Sequence, residues 1–354
     1  MLALGVSLSC SSPTTPTPTP PPTQAPSIVC PAPEAITAPQ NRPIPVTYGA
    51  PVTTGGKAPV TTSCAPASGA EFPVGVTTVT CTATDAEQRT SSCAVDMTVL
   101  PPPEIAVTRF IAFGDSITAG EDGAAITTMW SGPWHGETLL LPMVILVGQE
   151  YPTVLQNELR NRYTLQTSSI SVRNAGLRAE RAGDSSTLTR FQREVVNGGY
   201  QAVLLMEGSN DLIEAYYGSS RAVQDALNNL RSMVRTARGA GIRPYLATIP
   251  PASRDSPCGP PCRGVAADMV PGFNDQVRGI AAAEGVPLVD VFAAFGGDRT
   301  LISADGLHPN AAGYERVAMT FLDSIKATLE TVAQSGAPAI SRSSVRSSRY
   351  RSVR

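Results

Sequence analysis

From residue 105 onward, short apolar runs alternate with amphipathic stretches, and this alternation constrains the fold more than any other feature of the chain. The predicted strands are 105–113, 169–173, 202–206, 242–249 and 287–291, and the predicted helices are 151–163, 188–196, 221–238, 273–284 and 311–329. Strands and helices that alternate five times predict a parallel α/β sheet with helices covering both faces.

The chain before residue 101 has a different composition, which indicates separate structural units. Residues 11–26 are a Pro/Thr repeat, which favours an extended linker because such a sequence cannot bury a core. Residues 27–100 are rich in Val and Thr and alternate in the manner of β-strands. We therefore expect a linker at 11–26, a β module at 27–100, an α/β domain at 105–332 and a disordered basic tail at 333–354.

Charge and composition exclude several functional classes. Charged residues make up 16% of the chain and the formal net charge is -2, so we expect no nucleic-acid partner. No run reaches the ~20 apolar residues of a membrane-spanning helix. The sequence shows neither a phosphate-binding loop nor a cluster with zinc-ligand spacing, so we expect no metal and no cofactor. It does not predict an oligomeric state.

The seven cysteines indicate an oxidising compartment. Four of them (Cys30, Cys64, Cys81 and Cys93) lie within 27–100 and can form two disulfides, and the alternative is buried free thiols. Cys258 and Cys262 predict a third disulfide within a Gly/Pro-rich loop. Cys10 ends the apolar stretch 1–10, which resembles the end of a bacterial lipoprotein signal and implies a membrane tether through a lipidated Cys10. An ordinary secretory signal remnant is the alternative, and both predict a secreted or cell-envelope protein.

Residues 72–86 (FPVGVTTVTCTATDA) and 91–99 (SSCAVDMTV) carry a further resemblance. They resemble the hyalin repeat (HYR) module, which implies that 27–100 fold as an immunoglobulin-like β-sandwich. The resemblance also implies disulfides among the four cysteines of this segment, with three pairings open. Its family suggests adhesion or spacing.

Four short motifs lie at ends of predicted strands or at starts of predicted helices. They are GDSIT at 114–118, NAG at 174–176, GSND at 208–211 and DGLH at 305–308. Ligands of open parallel sheets bind beyond the carboxyl ends of the strands. We therefore expect the four motifs to converge on one site.

Ser116 is the candidate nucleophile of this site. A serine is a poor nucleophile until a base removes its proton, and the chain has only two histidines. His308 follows Asp305 by three residues, a spacing at which the two side chains can face each other within one turn. Asp305 can then orient His308, which can deprotonate Ser116. The alternatives are a helix-capping serine, a turn aspartate and a surface histidine.

In this order and at these separations, the motifs resemble the signature blocks of the SGNH (GDSL-type) esterases and lipases. The resemblance implies a flavodoxin-like three-layer α/β/α fold and hydrolysis of carboxylic esters through an acyl-enzyme. It also implies an oxyanion hole formed by Ser116, Gly176 and Asn210, in which the first two donate backbone N–H groups. We interpret Asp115 and Asp211 as structural residues that hold loops.

About thirty residues separate Ser116 from the helix predicted at 151–163, and they include Trp130 and Trp134. A loop of this length predicts an apolar acyl or aryl pocket, and packing onto the core is the alternative. The expected substrates are short-to-medium acyl or aryl esters or lysophospholipids. The alternatives are acetylated polysaccharides, or a non-catalytic surface protein that uses the HYR-like module for adhesion.

Overall fold

The computed structural model of the chain describes residues 24–123, 144–254 and 263–331. The described residues form two compact units. The first contains residues up to 38 together with 42–100, and the second contains 39–41 and the residues from 101 onward. The predictions made for Cys10, Trp130, Trp134, Cys258 and Cys262 fall outside the described ranges and stay predictions, as do those for the tail and most of the 11–26 linker.

The first unit is an all-β module, in which β-branched side chains pack well on a pleated surface. Its strands are β1 (Ser27–Val29), β2 (Ala35–Thr37), β3 (Ile44–Pro45), β4 (Val52–Thr54), β5 (Thr61–Ala65), β6 (Glu71–Phe72), β7 (Gly75–Thr84) and β8 (Thr90–Leu100). The main sheet has the order β2-β8-β7-β5, in which β2 runs parallel to β8 and the other pairs are antiparallel. Two small antiparallel pairs, β1 with β4 and β3 with β6, complete the module.

Two disulfides cross-link this module. Cys30 is bonded to Cys93, and Cys64 is bonded to Cys81. The disulfides predicted among the four N-terminal cysteines are therefore confirmed, and the pairing is resolved. The disulfides accompany a small buried core made of Ala38, Val46, Tyr48, Phe72, Val79, Cys81, Met97 and Val99.

The second unit contains a five-stranded parallel sheet. The strands of this unit are β9 (Glu104–Ile105), β10 (Arg109–Gly114), β11 (Glu121–Asp122), β12 (Val144–Ile145), β13 (Ser171–Gly176), β14 (Ala202–Met206), β15 (Arg243–Ala247), β16 (Leu288–Val289) and β17 (Glu330–Thr331). The sheet order is β13-β10-β14-β15-β16. Counted along the chain, this is the order 2-1-3-4-5 of flavodoxin-like folds.

Helices cover both faces of this sheet, as the alternation of the sequence predicted. The helices are α1 (Ser116–Ala119), α2 (Tyr151–Arg162), α3 (Ser185–Phe191), α4 (Ser209–Tyr216), α5 (Ala222–Gly239), α6 (Val270–Glu284), α7 (Val291–Phe295) and α8 (Ala311–Leu329). Helix α2 packs on α8, whereas α5 packs on α6. The central strand β14 (AVLLM) is buried at every position, which explains its uninterrupted apolar sequence.

Several boundaries differ from the sequence-based prediction where tertiary contacts decide. The predicted strand 105–113 is interrupted, because β9 pairs with β17 and only β10 joins the main sheet. The predicted helix 188–196 is an α-helix that continues as a π-helical turn over Gln192–Val196. The short helices α4 and α7 were not predicted, since so few residues show little periodicity. Within the described part of the chain, no helix is long and apolar enough to cross a membrane.

Candidate active site

Three of the four motifs meet at one edge of the parallel sheet. In the strand register, Gly114 of β10 lies opposite Gly176 of β13 on one side and opposite Met206 of β14 on the other. The carboxyl ends of these strands therefore stop at the same level, and the segments that follow them emerge together. The fourth motif precedes α8, in a loop closed by a β-bridge between Ile302 and Pro309.

Ser116 is the first residue of α1 and follows β10 after a tight turn. Asp115 caps this helix, because its side chain accepts the backbone N–H of Ile117 at 2.9 Å. Gly114 has no room for a side chain, since a Cβ atom there would lie 2.0 Å from Oγ1 of Thr118. The turn holds the Ser116 side chain at the carboxyl edge of the sheet, where the residue is only 3% exposed.

The side chains of Ser116, His308 and Asp305 form one hydrogen-bonded chain. Nε2 of His308 lies 2.8 Å from Oγ of Ser116, and Nδ1 of His308 lies 2.5 Å from Oδ2 of Asp305. Because an ionised carboxylate only accepts hydrogen bonds, Nδ1 carries the proton and Nε2 can accept the proton of the serine hydroxyl. The structure thus brings together the three side chains that the sequence analysis selected.

The Asp305 carboxylate is held on several sides. Its Oδ1 accepts the backbone N–H groups of Leu307 and His308, each at 3.0 Å. Burial alone would raise the pKa of Asp305, but the hydrogen bond and charge of His308, together with the two backbone N–H groups, hold that pKa below its ordinary value. Gly123 packs against the carboxylate so closely that a Cβ atom would lie 2.1 Å from Cγ of Asp305. Asp305 therefore stays ionised and fixed in orientation.

Asn210 is the second residue of α4 and lies just after Gly208. Gly208 has a φ of +127°, a conformation that favours glycine, and this turn brings α4 to the carboxyl end of β14. Nδ2 of Asn210 donates to the carbonyl oxygen of Glu180 at 2.8 Å. An amide nitrogen carries two N–H groups, so this bond orients Asn210 without exhausting its donors.

Gly176 is the third predicted oxyanion donor, and that role stays a prediction. Its N–H donates to Oδ1 of Asn174 at 2.9 Å, so the group is already engaged. A Cβ atom at Gly176 would lie 2.1 Å from the backbone nitrogen of Ala119, which shows that glycine lets β13 approach α1 closely. The structural requirement for glycine at this position is therefore packing, and the sequence could not distinguish packing from oxyanion binding.

Arg190 of α3 ties the strand ends together, although the sequence analysis did not select it. Its guanidinium forms a short, buried ion pair with Glu180 and donates to the carbonyl oxygens of Ala175, at 2.8 Å, and Gly114, at 3.4 Å. The guanidinium also lies over the ring of Phe113 at 3.7 Å. Arg190 thus links β10 to β13 directly behind Ser116.

Three further carboxyl groups near the motifs are buried: Asp115, Asp211 and Glu207. Burial raises the pKa of Asp115 to about 6 and that of Asp211 to about 7, even though Asp211 accepts two backbone N–H groups of the loop after β13. Burial, followed by the charges of Asp115 and Glu180, raises the pKa of Glu207 well above its ordinary value. The hydrogen bonds of Asp115 and Asp211 agree with their interpretation as residues that hold loops.

Glu121 contacts the acid–base pair and was also missed. Its Oε2 lies 3.5 Å from Nε2 of His308, and its carboxylate pairs with Arg178 and, at 3.7 Å, with Arg263. The hydroxyl of Tyr314 donates to the backbone carbonyl of Glu121 at 2.6 Å. The only sequence signal was an acidic residue just after the serine motif, and such a residue is usually exposed.

A shallow apolar depression lies beside these residues, and we call it the α4 depression. It is defined by Leu212 and Ile213 of α4, Ile249 after β15, Val270 of α6 and Leu307, the neighbour of His308. Its cavity volume is about 10 Å³, about the room that one water molecule occupies, so it is a gap in the packing beside the site and not a ligand pocket. The pocket predicted around Trp130 and Trp134 lies outside the described residues.

Comparisons with known proteins agree with this geometry. The GDSL-like Lipase/Acylhydrolase family model matches residues 112–316, and the HYR domain model matches residues 21–99. The chain is similar to Axe2, an acetylxylan esterase from Geobacillus stearothermophilus, with 20% identity over 62% of this chain and 95% of that chain and a TM-score of 0.46. It is similar to LAE5, an alpha/beta hydrolase enzyme from the metagenome of Lake Arreo, Spain, with 22% identity over 63% and 96% of the two chains and a TM-score of 0.47. No curated protein sequence matches significantly.

The first family model covers more than half of the 354 residues and contains all four motifs. The same stretch holds the parallel sheet and the Ser116–His308–Asp305 hydrogen-bond chain. We conclude that the chain belongs to the GDSL-like lipase/acylhydrolase family and is a carboxylic ester hydrolase with an N-terminal HYR domain.

Proposed function

We propose that Ser116 is the nucleophile of a serine esterase that works through an acyl-enzyme. His308 accepts the Ser116 proton as the oxygen attacks the ester carbonyl carbon, and then donates that proton to the leaving alcohol. Asp305 keeps His308 in the tautomer whose Nε2 faces Ser116 and stabilises the imidazolium that forms. The continuous hydrogen-bond chain, with distances of 2.8 and 2.5 Å, is the observation that carries this proposal.

The acyl-enzyme is resolved by water. His308 takes a proton from the water as its oxygen attacks the acyl carbon, and returns a proton to Ser116 when the acid leaves. The backbone N–H of Ser116 and the side-chain amide of Asn210 are the proposed donors to the oxyanion in both steps. One such donor contributes about 10²–10³-fold to kcat. Gly176 can join them only if its N–H exchanges Asn174 for the oxyanion, so we assign the main share to Ser116 and Asn210.

The proposed substrates are short-to-medium acyl or aryl esters or lysophospholipids, with acetylated polysaccharides as the alternative. The α4 depression, at about 10 Å³, does not select among them.

The enzyme is proposed to act outside the cytoplasm. The disulfides of the HYR domain support this location, since disulfides form and persist in oxidising compartments. In this proposal the HYR domain is a spacer, and the membrane tether is Cys10. The hydroxyl of Ser116, the imidazole of His308 and the carboxylate of Asp305 are all present and joined by hydrogen bonds. This favours a catalytic function over the alternative of a non-catalytic adhesion protein.

Hydrolysis of p-nitrophenyl esters from acetate to palmitate tests the proposal. We expect turnover of at least one ester of the series, and the Ser116→Ala variant to lose at least about 10³-fold in kcat with an unchanged thermal unfolding midpoint. Ser185→Ala is the matched control, because Ser185 also begins a helix but is exposed and belongs to none of the four motifs. Undiminished turnover by Ser116→Ala would contradict the mechanism.

A further inference from the structure

Glu207 is a buried carboxyl group to which the proposed mechanism gives no role. It lies between the end of β14 and Gly208, and its side chain is fully shielded from solvent. Neither of its carboxyl oxygens has a hydrogen-bond donor among the described residues. In the same part of the chain its only ion pair is with Nη2 of Arg190, at 3.9 Å, and that nitrogen already pairs with Glu180. An ionised Glu207 would therefore be a buried charge with little compensation.

A carboxyl group in such surroundings keeps its proton. An isolated ionised carboxylate is so costly to bury that the group becomes neutral instead. Further acidic groups face Glu207 from neighbouring elements, and their negative charges would add to this cost. They are Tyr151 of α2, Asp115 before α1, Glu180 after β13 and Asp211 of α4. The raised pKa of Glu207 has the same two causes, burial and the charges of these neighbours.

The proton of Glu207 has an acceptor close by in the carboxylate of Glu180. The two carboxyl groups lie within hydrogen-bonding distance of each other. Two ionised carboxylates at such a distance repel, whereas a neutral carboxyl group donates its O–H to an ionised one. The Glu180 carboxylate also accepts Nε of Arg190 at 2.7 Å. The Glu180 side chain is thus held between a carboxylic acid and a guanidinium.

Glu180 connects this buried pair to the proposed oxyanion hole. Its backbone carbonyl oxygen accepts Nδ2 of Asn210 at 2.8 Å. Its side chain holds Arg190, which links the ends of β10 and β13 behind Ser116. One residue therefore orients the Asn210 amide through its main chain and the strand ends through its side chain. Repulsion between Glu207 and Glu180 would disturb both.

We propose that Glu207 is a positioning residue that works as a neutral carboxylic acid: its O–H donates to Glu180 and thereby keeps the Asn210 amide directed at the oxyanion. Ionisation of Glu207 would place two carboxylates side by side, displace Glu180 and turn the amide away. Because the oxyanion forms only as the reaction proceeds, loss of this orientation should lower kcat and leave KM nearly unchanged. The inference rests on the proposed esterase mechanism and adds to it a proton that is held throughout the reaction.

Two variants of similar size test the donor role of Glu207. Glu207→Gln keeps an N–H that can donate to Glu180, whereas Glu207→Met removes the donor. On the p-nitrophenyl ester that the native protein hydrolyses fastest, we expect kcat of Glu207→Gln to stay within about twofold and kcat of Glu207→Met to fall about tenfold, with both KM values within about twofold. Glu315 is an exposed glutamate of α8, and its Gln and Met variants are the matched controls.

Infrared difference spectroscopy tests the protonation of Glu207 without any substrate. The spectrum of the native protein minus that of Glu207→Gln is recorded at about pH 8, where Asp115 and Asp211, with pKa values of about 6 and about 7, are mostly ionised. We expect the C=O stretching band of one protonated carboxylic acid in this difference. A difference that shows only carboxylate bands would overturn the proposal.

The kinetic outcomes also separate this inference from the esterase proposal. A fall in kcat as large in Glu207→Gln as in Glu207→Met, or a native kcat in Glu207→Met, would overturn the positioning role and leave the esterase intact. A loss in Glu207→Met that lies in KM rather than in kcat would overturn it as well. No Ser116-dependent turnover of any ester by the native protein would instead refute the esterase proposal, and with it the positioning role.

Discussion

The HYR domain and the hydrolase domain reach stability by different routes. Among the described residues, the core of the HYR domain contains eight buried apolar side chains, and the core of the hydrolase domain contains fifty-one. A core as small as the first supplies little hydrophobic free energy, so two disulfides restrict the unfolded chain instead. The described part of the hydrolase domain relies on helices packed over both faces of a sheet. The difference shows that cross-links substitute for apolar burial where a segment is too short to bury a large core.

The two domains also treat buried carboxylates differently. Burial alone would raise the pKa of Asp85 in the HYR domain, but Arg89 and three backbone N–H groups hold that pKa below its ordinary value. At two buried positions of the hydrolase domain, burial outweighs the hydrogen bonds and raises the pKa of Asp115 to about 6 and that of Asp211 to about 7. The ionised carboxylate of Asp85 therefore stabilises the HYR domain. Ionisation of the buried carboxyl groups of Asp115 and Asp211, by contrast, lowers the stability of the folded hydrolase domain.

The largest expected effect is a loss of catalytic activity on substitution of a carboxylate in the hydrolase domain, with no such loss on the matched substitution in the HYR domain. Asp305→Asn removes the charge that orients His308, so we expect kcat to fall about 10³–10⁴-fold. Asp85→Asn is the matched change in the HYR domain and should leave turnover within about twofold. Kinetics with p-nitrophenyl acetate measure both variants. A large loss of turnover in Asp85→Asn would contradict the functional separation of the two domains.

A core truncation should destabilise only the hydrolase domain. Leu204 lies on the central strand β14 and is fully buried, so Leu204→Ala should lower the free energy of unfolding by about 2–5 kcal/mol. Hydrogen exchange measured by mass spectrometry in the full chain should show faster exchange within 105–331 and no change within 27–100. Met319→Ala, at a residue that is 37% exposed, should change the free energy by less than about 0.5 kcal/mol.

Removal of a disulfide should destabilise only the HYR domain. Replacing Cys30 and Cys93 by serine should cost this domain about 2–4 kcal/mol while turnover stays unchanged. The matched Cys64/Cys81 double variant should cost about 1 kcal/mol less in the chain-entropy model, because its bond spans 17 residues rather than 63. The same exchange experiment measures both. Equal protection of 27–100 in the native protein and the first variant would be incompatible with the stabilising role of the disulfide.

The smallest expected effect is that the stabilities of the two domains change in opposite directions with pH. Asp115 and Asp211 have raised pKa values, so these two groups bind more protons in the folded hydrolase domain than in the unfolded chain between about pH 4 and 7. Its stability should therefore fall as the pH rises through that window. Asp85 has a lowered pKa, so the stability it contributes is present above about pH 4 and is lost as the pH falls below it. Domain-resolved exchange at pH 3, 5 and 7, corrected for the intrinsic rate, should show the hydrolase domain losing stability from pH 5 to 7 and the HYR domain losing stability from pH 5 to 3. Asp211→Asn should flatten the change in the hydrolase domain between pH 5 and 7.

Local pattern predicted much of the hydrolase domain. The predicted strand 202–206 and the predicted helix 311–329 coincide with β14 and α8. Both are long or uniformly apolar, and in such segments periodicity is strongest. The convergence of Ser116, Asp305 and His308 was also expected, since the carboxyl ends of parallel strands lie at one edge. By contrast, the contacts of Glu121 and Arg190 could not be expected, because nothing in their sequence neighbourhood indicates burial.

The sequence by itself determined the residue types of the site, the α/β alternation and the division of the chain, because these depend on local composition and spacing. Tertiary structure alone decided which cysteines pair, that the N–H of Gly176 donates to Asn174, and that Glu121 lies beside His308. Each of these groups has several possible partners in the chain. Which partner it contacts depends on how segments far apart in sequence pack together, and a short stretch of sequence does not contain that information.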